Sequence, residues 1–297
     1  MRILIAGSTG FLGERLVRYL RDAGHEVSRL VRREPRDANE FRWDPAAGTL
    51  SPSTVEATDA VINLAGATVI RPWTKAYKKV LLDSRVDTTR TLATAIAALP
   101  GNRPAILLNA SGVDAYGDTG DKPADENTPL AHGFLADMCR TWEAATAPAA
   151  DAGVRVAFLR TGFPLSRHGG FLRPQVLQFK LFAGGRLASG RQYVPWIGMP
   201  DWLGAVEHVL RHDDIAGPVN MVGPDPVRNA DFAKALAKAL HRPALIPAPG
   251  FALKLVLGEL GQAMLESKRV LPGVLTKSGY QFKYRTIDEA LRQALTD

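Results

Sequence analysis

Short apolar runs alternate with amphipathic helical patterns through the first half of the sequence. Phe11–Ala23 places Leu12, Leu16 and Leu20 on one side of a helix, and Gly24 follows as a stop signal. Runs with the length and composition of buried strands occupy Arg2–Ala6, Glu26–Val31, Asp59–Ala65, Ala105–Ser111 and Arg155–Thr161. Strands and helices that alternate in this way form a parallel sheet with helices on its faces. The pattern therefore predicts an α/β protein.

The second half of the sequence is less regular. Glycine and proline become frequent after Gly162, and we expect a change of architecture near Arg167. Long helical patterns precede this point at Thr74–Leu99 and His132–Ala152. Beyond it, the pattern predicts one strand and two helices, at Gly217–Gly223, Asn229–Leu240 and Gly250–Glu266.

A glycine-rich turn joins the first predicted strand to the first predicted helix. It reads Gly7-Ser8-Thr9-Gly10-Phe11-Leu12-Gly13. In this context the first glycine permits a tight turn, the second lets the backbone approach a pyrophosphate, and the third allows helix and strand to pack closely. The helix N-terminus adds free N–H groups and a partial positive charge. The loop predicts a dinucleotide-binding site, and the alternative is a purely structural turn.

The end of the second predicted strand indicates which dinucleotide binds. The strand runs into Val31, Arg32 and Arg33, and the nearest acid, Glu34, comes only after them. An acid at this place would hold the ribose 2′-hydroxyl of NAD, whereas an arginine accommodates the 2′-phosphate of NADP. The sequence therefore favours NADP(H), with Val31 and Arg32 at the adenosine ribose. The alternative is that both arginines are surface charge.

Together these signals predict a Rossmann-type, doubly wound parallel sheet with a small, mixed C-terminal part on the substrate side. We assign residues 1–166 to an NADP-binding Rossmann domain, to which residues 200–223 return. Residues 167–199 and 224–297 are assigned to the substrate-side part.

Composition excludes several classes of protein. The 297 residues carry 37 Lys+Arg against 30 Asp+Glu, a net charge of +7 that is spread along the chain. Because the basic groups are not interleaved with stacking aromatics, a surface that attracts a phosphorylated ligand is favoured over a nucleic-acid partner. Cys139 is the only cysteine, which excludes a disulfide, and His208 and His212 lack a third metal ligand. With no membrane helix or signal peptide in the pattern, we expect a cytoplasmic protein.

Several short motifs, taken together and in order, resemble the extended short-chain dehydrogenase/reductase superfamily. They cover nearly the whole chain and comprise the glycine loop, Trp43-Asp44-Pro45, Asn63-Leu64-Ala65-Gly66, Ser84-Arg85-Val86, Phe134-Leu135, Trp142-Glu143, Arg160-Thr161-Gly162, Gly169-Gly170, Gly184-Gly185, Trp196-Ile197 and Arg242-Pro243. The chain is similar to the atypical, sugar-epimerase-like branch, which carries a C-terminal domain of unknown function, DUF1731. The resemblance implies an NAD(P)-dependent epimerase fold with an unassigned substrate.

The resemblance also implies roles for single residues. Leu64-Ala65-Gly66 would line the cofactor groove. Arg85 stands where most relatives carry asparagine and would bind near the cofactor, where it could supply the positive charge of the missing lysine. Phe163 and Pro164 follow the strand whose end places backbone against the nicotinamide amide. Pro164 has no backbone N–H, so only its carbonyl could bind the nicotinamide amide.

The superfamily's usual Tyr-x-x-x-Lys pair is absent. That spacing puts phenol and ammonium on one helix face, where the ammonium lowers the phenol pKa. None of the six tyrosines has a lysine four residues later, and Leu135 and Cys139 occupy the Tyr and Lys positions. Ser111 matches the superfamily's catalytic Ser/Thr. Tyr116 is either a proton donor or a loop aromatic over the cofactor, and Cys139, near the nicotinamide ribose, is either packing or chemistry.

Two functions remain open. In the first, the protein is an NADP(H)-dependent epimerase or oxidoreductase for a small polar substrate such as a nucleotide sugar, with Ser111 polarising a carbonyl. In the second, it binds NADP(H) without turnover, as a redox sensor or interaction protein. The missing Tyr/Lys pair favours the second function, whereas Trp196 in a glycine-rich C-terminal cap favours the first. The oligomeric state stays open.

Overall fold

The computed structural model describes residues 1–296. The strands are β1 (Arg2–Ala6), β2 (Glu26–Val31), β3 (Glu40–Arg42), β4 (Ala60–Asn63), β5 (Ile106–Gly112), β6 (Arg155–Thr161), β7 (Phe163–Leu165), β8 (Tyr193–Val194), β9 (Trp196–Gly198), β10 (Gly217–Met221) and β11 (Val227–Arg228). The helices are α1 (Phe11–Asp22), α2 (Pro52–Glu56), α3 (Lys75–Ala97), α4 (Phe134–Ala144), α5 (Ala147–Asp151), α6 (Leu172–Lys180), α7 (Met199–Arg211), α8 (Asn229–Leu240), α9 (Gly250–Leu257), α10 (Glu259–Ala263), α11 (Gly273–Lys277) and α12 (Ile287–Thr296). A 3-10 turn spans Val113–Tyr116.

Seven strands form one parallel sheet in the order β10-β6-β5-β4-β1-β2-β3. The chain builds outward from β1 in one direction through β2 and β3, and in the other direction through β4, β5 and β6. A doubly wound sheet binds its ligand at such a reversal point, outside the carboxyl ends of the strands. The predicted Rossmann-type fold class is therefore confirmed.

Alternating side chains of the central strands supply two separate cores. Ile3 and Ile5 of β1 join a cluster with Leu16 of α1 and Trp202 of α7 on one face of the sheet. The residue between them, Leu4, joins the opposite cluster, which contains Leu92 and Ile96 of α3 and Ala149 of α5. Because the side-chain period of a strand is two, every central strand is buried on both faces. This explains the continuous apolar runs in the sequence.

The C-terminal part has a core of its own. Its buried side chains include Phe179 of α6, Trp196 of β9, Phe232 of α8 and Leu291 of α12. Two small sheets lie in this part of the chain: β7 pairs with β9, and β8 pairs with β11. Within residues 1–296, no helix is long and apolar enough to cross a lipid bilayer.

Two predicted helices are interrupted. The pattern over His132–Ala152 divides into α4 and α5, because Pro148 in the first turn of α5 cannot donate the backbone hydrogen bond that would continue α4. The pattern over Gly250–Glu266 divides into α9 and α10 at Gly258, where φ is +59°. Both breaks lie at residues whose backbone chemistry disfavours an unbroken helix.

Candidate functional site

The segments singled out in the sequence follow strands that end at one edge of the sheet. Ala6 at the end of β1 pairs with Asn63 at the end of β4, and Gly112 at the end of β5 pairs with Thr161 at the end of β6. The glycine loop, residues 64–66, residues 113–116 and residues 163–164 come directly after these positions. The carboxyl edge of the sheet is therefore the candidate site.

The three glycines of the loop differ in the space around them. Gly7 has a φ of +78°, and a Cβ there would lie 2.6 Å from the backbone carbonyl carbon of Leu64. A Cβ on Gly13 would lie 2.1 Å from the Gly7 oxygen. In contrast, a Cβ on Gly10 would meet one described atom within 4 Å, the Gly7 oxygen at 3.3 Å. The protein's own packing thus requires Gly7 and Gly13, whereas Gly10 leaves space for a ligand.

The other residues of the loop divide into open and packed groups. Ser8 is buried, and its hydroxyl has no hydrogen-bond partner within residues 1–296. Thr9 is exposed. The ring of Phe11 lies against Gly169-Gly170, where Cβ atoms would come within 2.3 and 2.9 Å of it, and Leu12 packs against the core. Phe11 and Leu12 therefore serve the fold with their side chains and would reach a ligand through backbone.

Arg32 stands apart from its basic neighbours. Arg33 pairs with the buried Glu40 at 2.7 Å, and Arg29 reaches the same carboxylate at 3.0 Å. Arg32 follows the buried Val31, is exposed, and forms no ion pair with any residue of the described chain. Its guanidinium keeps its full capacity to hold an oxyanion.

A buried polar network fixes the loop after β4. The side-chain amide of Asn63 donates to Asn109 at 2.8 Å and to Thr89 at 2.9 Å, and its oxygen accepts the backbone N–H of Ala65 at 3.1 Å. The indole of Trp142 donates to the same Thr89 hydroxyl at 2.9 Å. These bonds hold the backbone of residues 64–66 against the glycine loop.

Arg85 reaches the same groove from α3. Its guanidinium carbon lies 3.4 Å from the position that a Cβ of Gly66 would occupy, and 5.0 Å from the centre of the Trp142 ring. One nitrogen donates to the Leu81 carbonyl at 3.0 Å. Burial lowers the pKa of Arg85, and the guanidinium has no ion-pair partner within residues 1–296. The groove therefore holds a buried cation without an acid.

The end of β5 is closed by a second network. The Ser111 hydroxyl donates to Glu143 at 2.7 Å, and Glu143 accepts two bonds of 2.8 Å from Arg160. Arg160 also donates to the Tyr116 hydroxyl at 2.9 Å. The Tyr116 hydroxyl in turn donates to the side-chain oxygen of Asn220 at 2.8 Å. All five side chains are buried. The network ties β5, α4, β6 and β10 together.

This network bears on the roles expected of Ser111 and Tyr116, which stay predictions. In the ligand-free protein the Ser111 hydroxyl donates its proton to Glu143 rather than to the cleft. Burial raises the pKa of Tyr116, although Arg160 and Asn220 act in the opposite direction. Both bonds of the phenol stay inside the protein, which favours the structural alternative over proton donation.

The side chain of Cys139 is also buried within the protein. The thiol donates to the Gly112 carbonyl at 3.7 Å, and burial raises the pKa of Cys139 to about 12. A thiol with so high a pKa stays protonated and unreactive at neutral pH. Of the two alternatives for Cys139, the structure favours packing.

The segment after β6 is predicted to meet the nicotinamide amide through the Pro164 carbonyl, and this stays a prediction. The Phe163 N–H donates to the Pro195 carbonyl at 2.6 Å, and Pro164 has no N–H. The Phe163 ring stacks on Phe171 with 4.2 Å between centroids. Neither residue therefore offers a backbone donor to a nicotinamide amide, and carbonyl oxygens are what this segment can supply.

Comparison with known proteins shows the family to which this chain belongs. The model of the NAD dependent epimerase/dehydratase family matches residues 3–221, and the model of a domain of unknown function, DUF1731, matches residues 248–294. The chain belongs to the NAD dependent epimerase/dehydratase family. An epimerase family protein of Mycobacterium bovis is 41% identical over 99% of this chain and 97% of its own length.

Solved structures of epimerase/dehydratase-family proteins agree with this placement. The crystal structure of human epimerase family protein SDR39U1 (isoform 2) with NADPH matches with a TM-score of 0.91 and 33% identity, over 100% of both chains. A nucleoside-diphosphate sugar epimerase from Corynebacterium glutamicum matches with a TM-score of 0.82 and 34% identity, over 99% of this chain and 58% of that one. The predicted family and its DUF1731 part are confirmed.

One ion pair of this epimerase-family chain was not foreseen from the sequence. Lys268, from the DUF1731 part, is buried and lies 3.2 Å from Asp114 and 3.0 Å from Glu266. No spacing in the sequence links Lys268 to Asp114, because the two residues are far apart along the chain. Within residues 1–296, no group of three His, Cys, Asp or Glu side chains could hold a metal ion.

Proposed function

We propose that this protein binds NADP(H) at the carboxyl edge of the sheet, as an epimerase- or oxidoreductase-like protein for a small polar substrate. The observation that carries the proposal is Arg32. It is exposed at the end of β2, and the acid that could neutralise it, Glu40, is held by Arg29 and Arg33. The NADPH in the crystal structure of the human relative supports the same cofactor.

The residues of the groove fit such a dinucleotide. The backbone of the glycine loop and the start of α1 would hold the pyrophosphate, and the space above Gly10 admits it. The unpartnered Ser8 hydroxyl would gain a hydrogen bond, and Arg32 would meet the 2′-phosphate. Residues 64–66, fixed by Asn63, would form the wall of the groove. When bound, NADP(H) supplies or accepts a hydride.

A second candidate function is NADP(H) binding with slow or no turnover, as a sensor or interaction protein. It is favoured by the network of Ser111, Glu143, Arg160, Tyr116 and Asn220, which leaves no expected proton donor free. General acid–base groups typically contribute about 10²- to 10⁴-fold to a rate, so their loss slows turnover accordingly.

Calorimetry with NADPH and NADH tests the cofactor assignment. We expect tighter binding of NADPH, and equal affinities for the two cofactors would contradict the proposal. A stopped assay with NADPH fluorescence, against aldehydes and sugar nucleotides, then separates the two functions. Turnover that falls in Ser111→Ala would restore the role expected from the sequence, and undetectable turnover favours the sensor.

We further propose a small-molecule substrate, no nucleic-acid partner and a cytoplasmic location. We also propose two domains, residues 1–166 with 200–223, and residues 167–199 with 224–297. Because β10 of the first domain comes from the returning segment, this division predicts that residues 1–166 alone do not fold, whereas residues 1–166 joined by a short linker to 200–223 do. Circular dichroism of the two fragments checks this, and a folded 1–166 fragment would contradict the division.

A further inference from the structure

Arg85 is a buried cation that forms no ion pair with any carboxylate of residues 1–296. We infer that Arg85 binds an anionic group of the substrate, a carboxylate or a phosphate, in the part of the cleft between β4 and β5. The substrate would then be a small acid or a phosphorylated compound. This inference rests on the proposed cofactor function, and names the substrate class for the same site.

The burial of Arg85 is the first observation. Its relative exposure is 8%, and its Nε has no hydrogen-bond partner among residues 1–296. Its one bond, to the Leu81 carbonyl, leaves most of its donors unused. Buried charges in proteins are normally paired, because loss of hydration penalises the charged form. An unpaired guanidinium in a groove is therefore expected to have its partner in a ligand.

The neighbouring acids are committed elsewhere. Glu143 accepts two bonds of 2.8 Å from Arg160 and one of 2.7 Å from Ser111. Asp114 acts on Arg85 electrostatically, but its ion pair is with Lys268, at 3.2 Å. Lys268 is shared between Asp114 and Glu266, which lies 3.0 Å from it. No carboxylate of the described chain therefore forms an ion pair with the Arg85 guanidinium.

Neighbouring side chains also fix the position of the Arg85 guanidinium. It lies over the Trp142 ring at 5.0 Å, and Thr89 fixes the Trp142 indole at 2.9 Å. Gly66 lies beside it, where a larger side chain would fill the space. A guanidinium fixed in this way forms two parallel bonds to a carboxylate or phosphate at a small loss of side-chain freedom.

The pyrophosphate of a dinucleotide is the other possible source of an anion. The glycine loop and the start of α1 already provide donors for it. Arg85 instead lies on α3, which follows β4, and near Asp114 and Cys139, which come after β5. Its position therefore favours a second anion over the cofactor.

Titration of simple anions tests the inference. Oxalate, malonate and inorganic phosphate are titrated at constant ionic strength into protein saturated with NADP⁺, and binding is followed by calorimetry and by melting temperature. We expect at least one to bind the wild type more tightly than chloride, and Arg85→Gln to weaken it by about 10- to 100-fold. Arg85→Lys should retain part of the affinity. Arg90→Gln, an exposed arginine on the same helix, should leave it unchanged.

Three results would overturn the inference. They are that no anion binds better than chloride, that Arg85→Gln binds the anion as well as the wild type, or that Arg85→Gln weakens NADPH while the anion is unaffected. The same anions are titrated into cofactor-free protein by melting temperature. Failure of the wild type to bind NADPH would count against the proposed function alone, because anion binding there still reports on Arg85.

Stability of the ligand-free protein gives an independent readout. If Arg85 is kept for a ligand, Arg85→Met removes an uncompensated charge and should raise the melting temperature, by about 2–4 °C. A structural role for the guanidinium predicts a fall instead, and a fall would contradict the inference even if the variant fails to bind anions.

Discussion

The two halves of the cleft treat their polar groups in opposite ways. Around the glycine loop and the end of β2, Ser8 and Arg32 have no partners within residues 1–296, and Gly10 opens to free space. At the end of β5, Ser111 and Tyr116 are buried and fully bonded to protein groups. The polar groups of the first half remain available to a ligand, whereas those of the second half bond to one another and join the sheet to α4.

The difference shows that cofactor recognition and proton transfer make different demands on a fold. Recognition depends on backbone N–H groups and on the loop glycines, of which the turn itself requires Gly7 and Gly13. Proton transfer depends on side chains that must stay accessible and correctly charged. The predictions that follow perturb one half at a time.

The largest expected effect is on the closed half. Glu143→Ala removes the carboxylate from Arg160 and leaves an uncompensated buried cation, which should lower the free energy of unfolding by about 3–5 kcal/mol. Urea unfolding measures this. Asp137→Ala, on the same helix, breaks an exposed pair with Arg140 and should cost much less. Similar losses in the two variants would show that the network does not hold this end of the sheet.

In the open half, Gly10→Val should block the cofactor without unfolding the protein. The added side chain occupies the space left for a pyrophosphate, so NADPH affinity should fall by about 100-fold or more, while the urea midpoint stays nearly unchanged. Gly101→Val, at an exposed glycine with no described atom within 4 Å of its Cβ position, is the matched control. Undiminished affinity in a folded Gly10→Val variant would make the loop a structural turn.

A smaller effect is expected for cofactor choice. Arg32→Gln should weaken NADPH by about 1.5–3 kcal/mol and leave NADH nearly unchanged, because the charge-assisted bond to the 2′-phosphate is lost. Arg33→Gln should keep the preference for NADPH, since that guanidinium is engaged by Glu40. If the Arg33 variant loses selectivity and the Arg32 variant does not, the two arginines have been assigned in the wrong order.

The smallest effect concerns the pH dependence of stability. The pKa of Cys139 is about 12 when folded, and an unfolded thiol has a pKa of about 8.5. The unfolded chain therefore loses its proton first, and the stability from Cys139 falls as pH rises from 8.5 towards 12. Unfolding of the wild type and Cys139→Ala between pH 7 and 10 measures the difference. A steeper decline in Cys139→Ala would contradict the assignment.

What the sequence could predict was mostly local. The alternation of strands and helices, the glycine loop and the placement of Arg32 depend on residues that are close in the chain, and local periodicity records them. The breaks at Pro148 and Gly258 were also local, and an unbroken apolar period concealed them. Fold class and family are confirmed, and the division into domains stays a prediction.

The closed network was beyond such reasoning because its members are distant in sequence. Ser111, Glu143 and Arg160 lie on different elements, and Asn220 comes from a strand that returns to the sheet later. Glu143 and Arg160 both lie in motifs that resemble the superfamily, but nothing in their spacing predicts that their side chains bind each other. Side-chain direction on β5 decides whether Ser111 faces the cleft or the interior, and the sequence does not specify it.

The packing of Cys139 has a consequence for protein engineering. A lysine placed there to introduce half of the Tyr-x-x-x-Lys motif would enter a buried position near Arg85 and against the Gly112 carbonyl. Two cations would then share one dry pocket, and the nearby Asp114 is already paired with Lys268. Grafting the motif onto this scaffold one residue at a time would therefore pass through a less stable protein, so a designer would have to change the neighbouring charges in the same step.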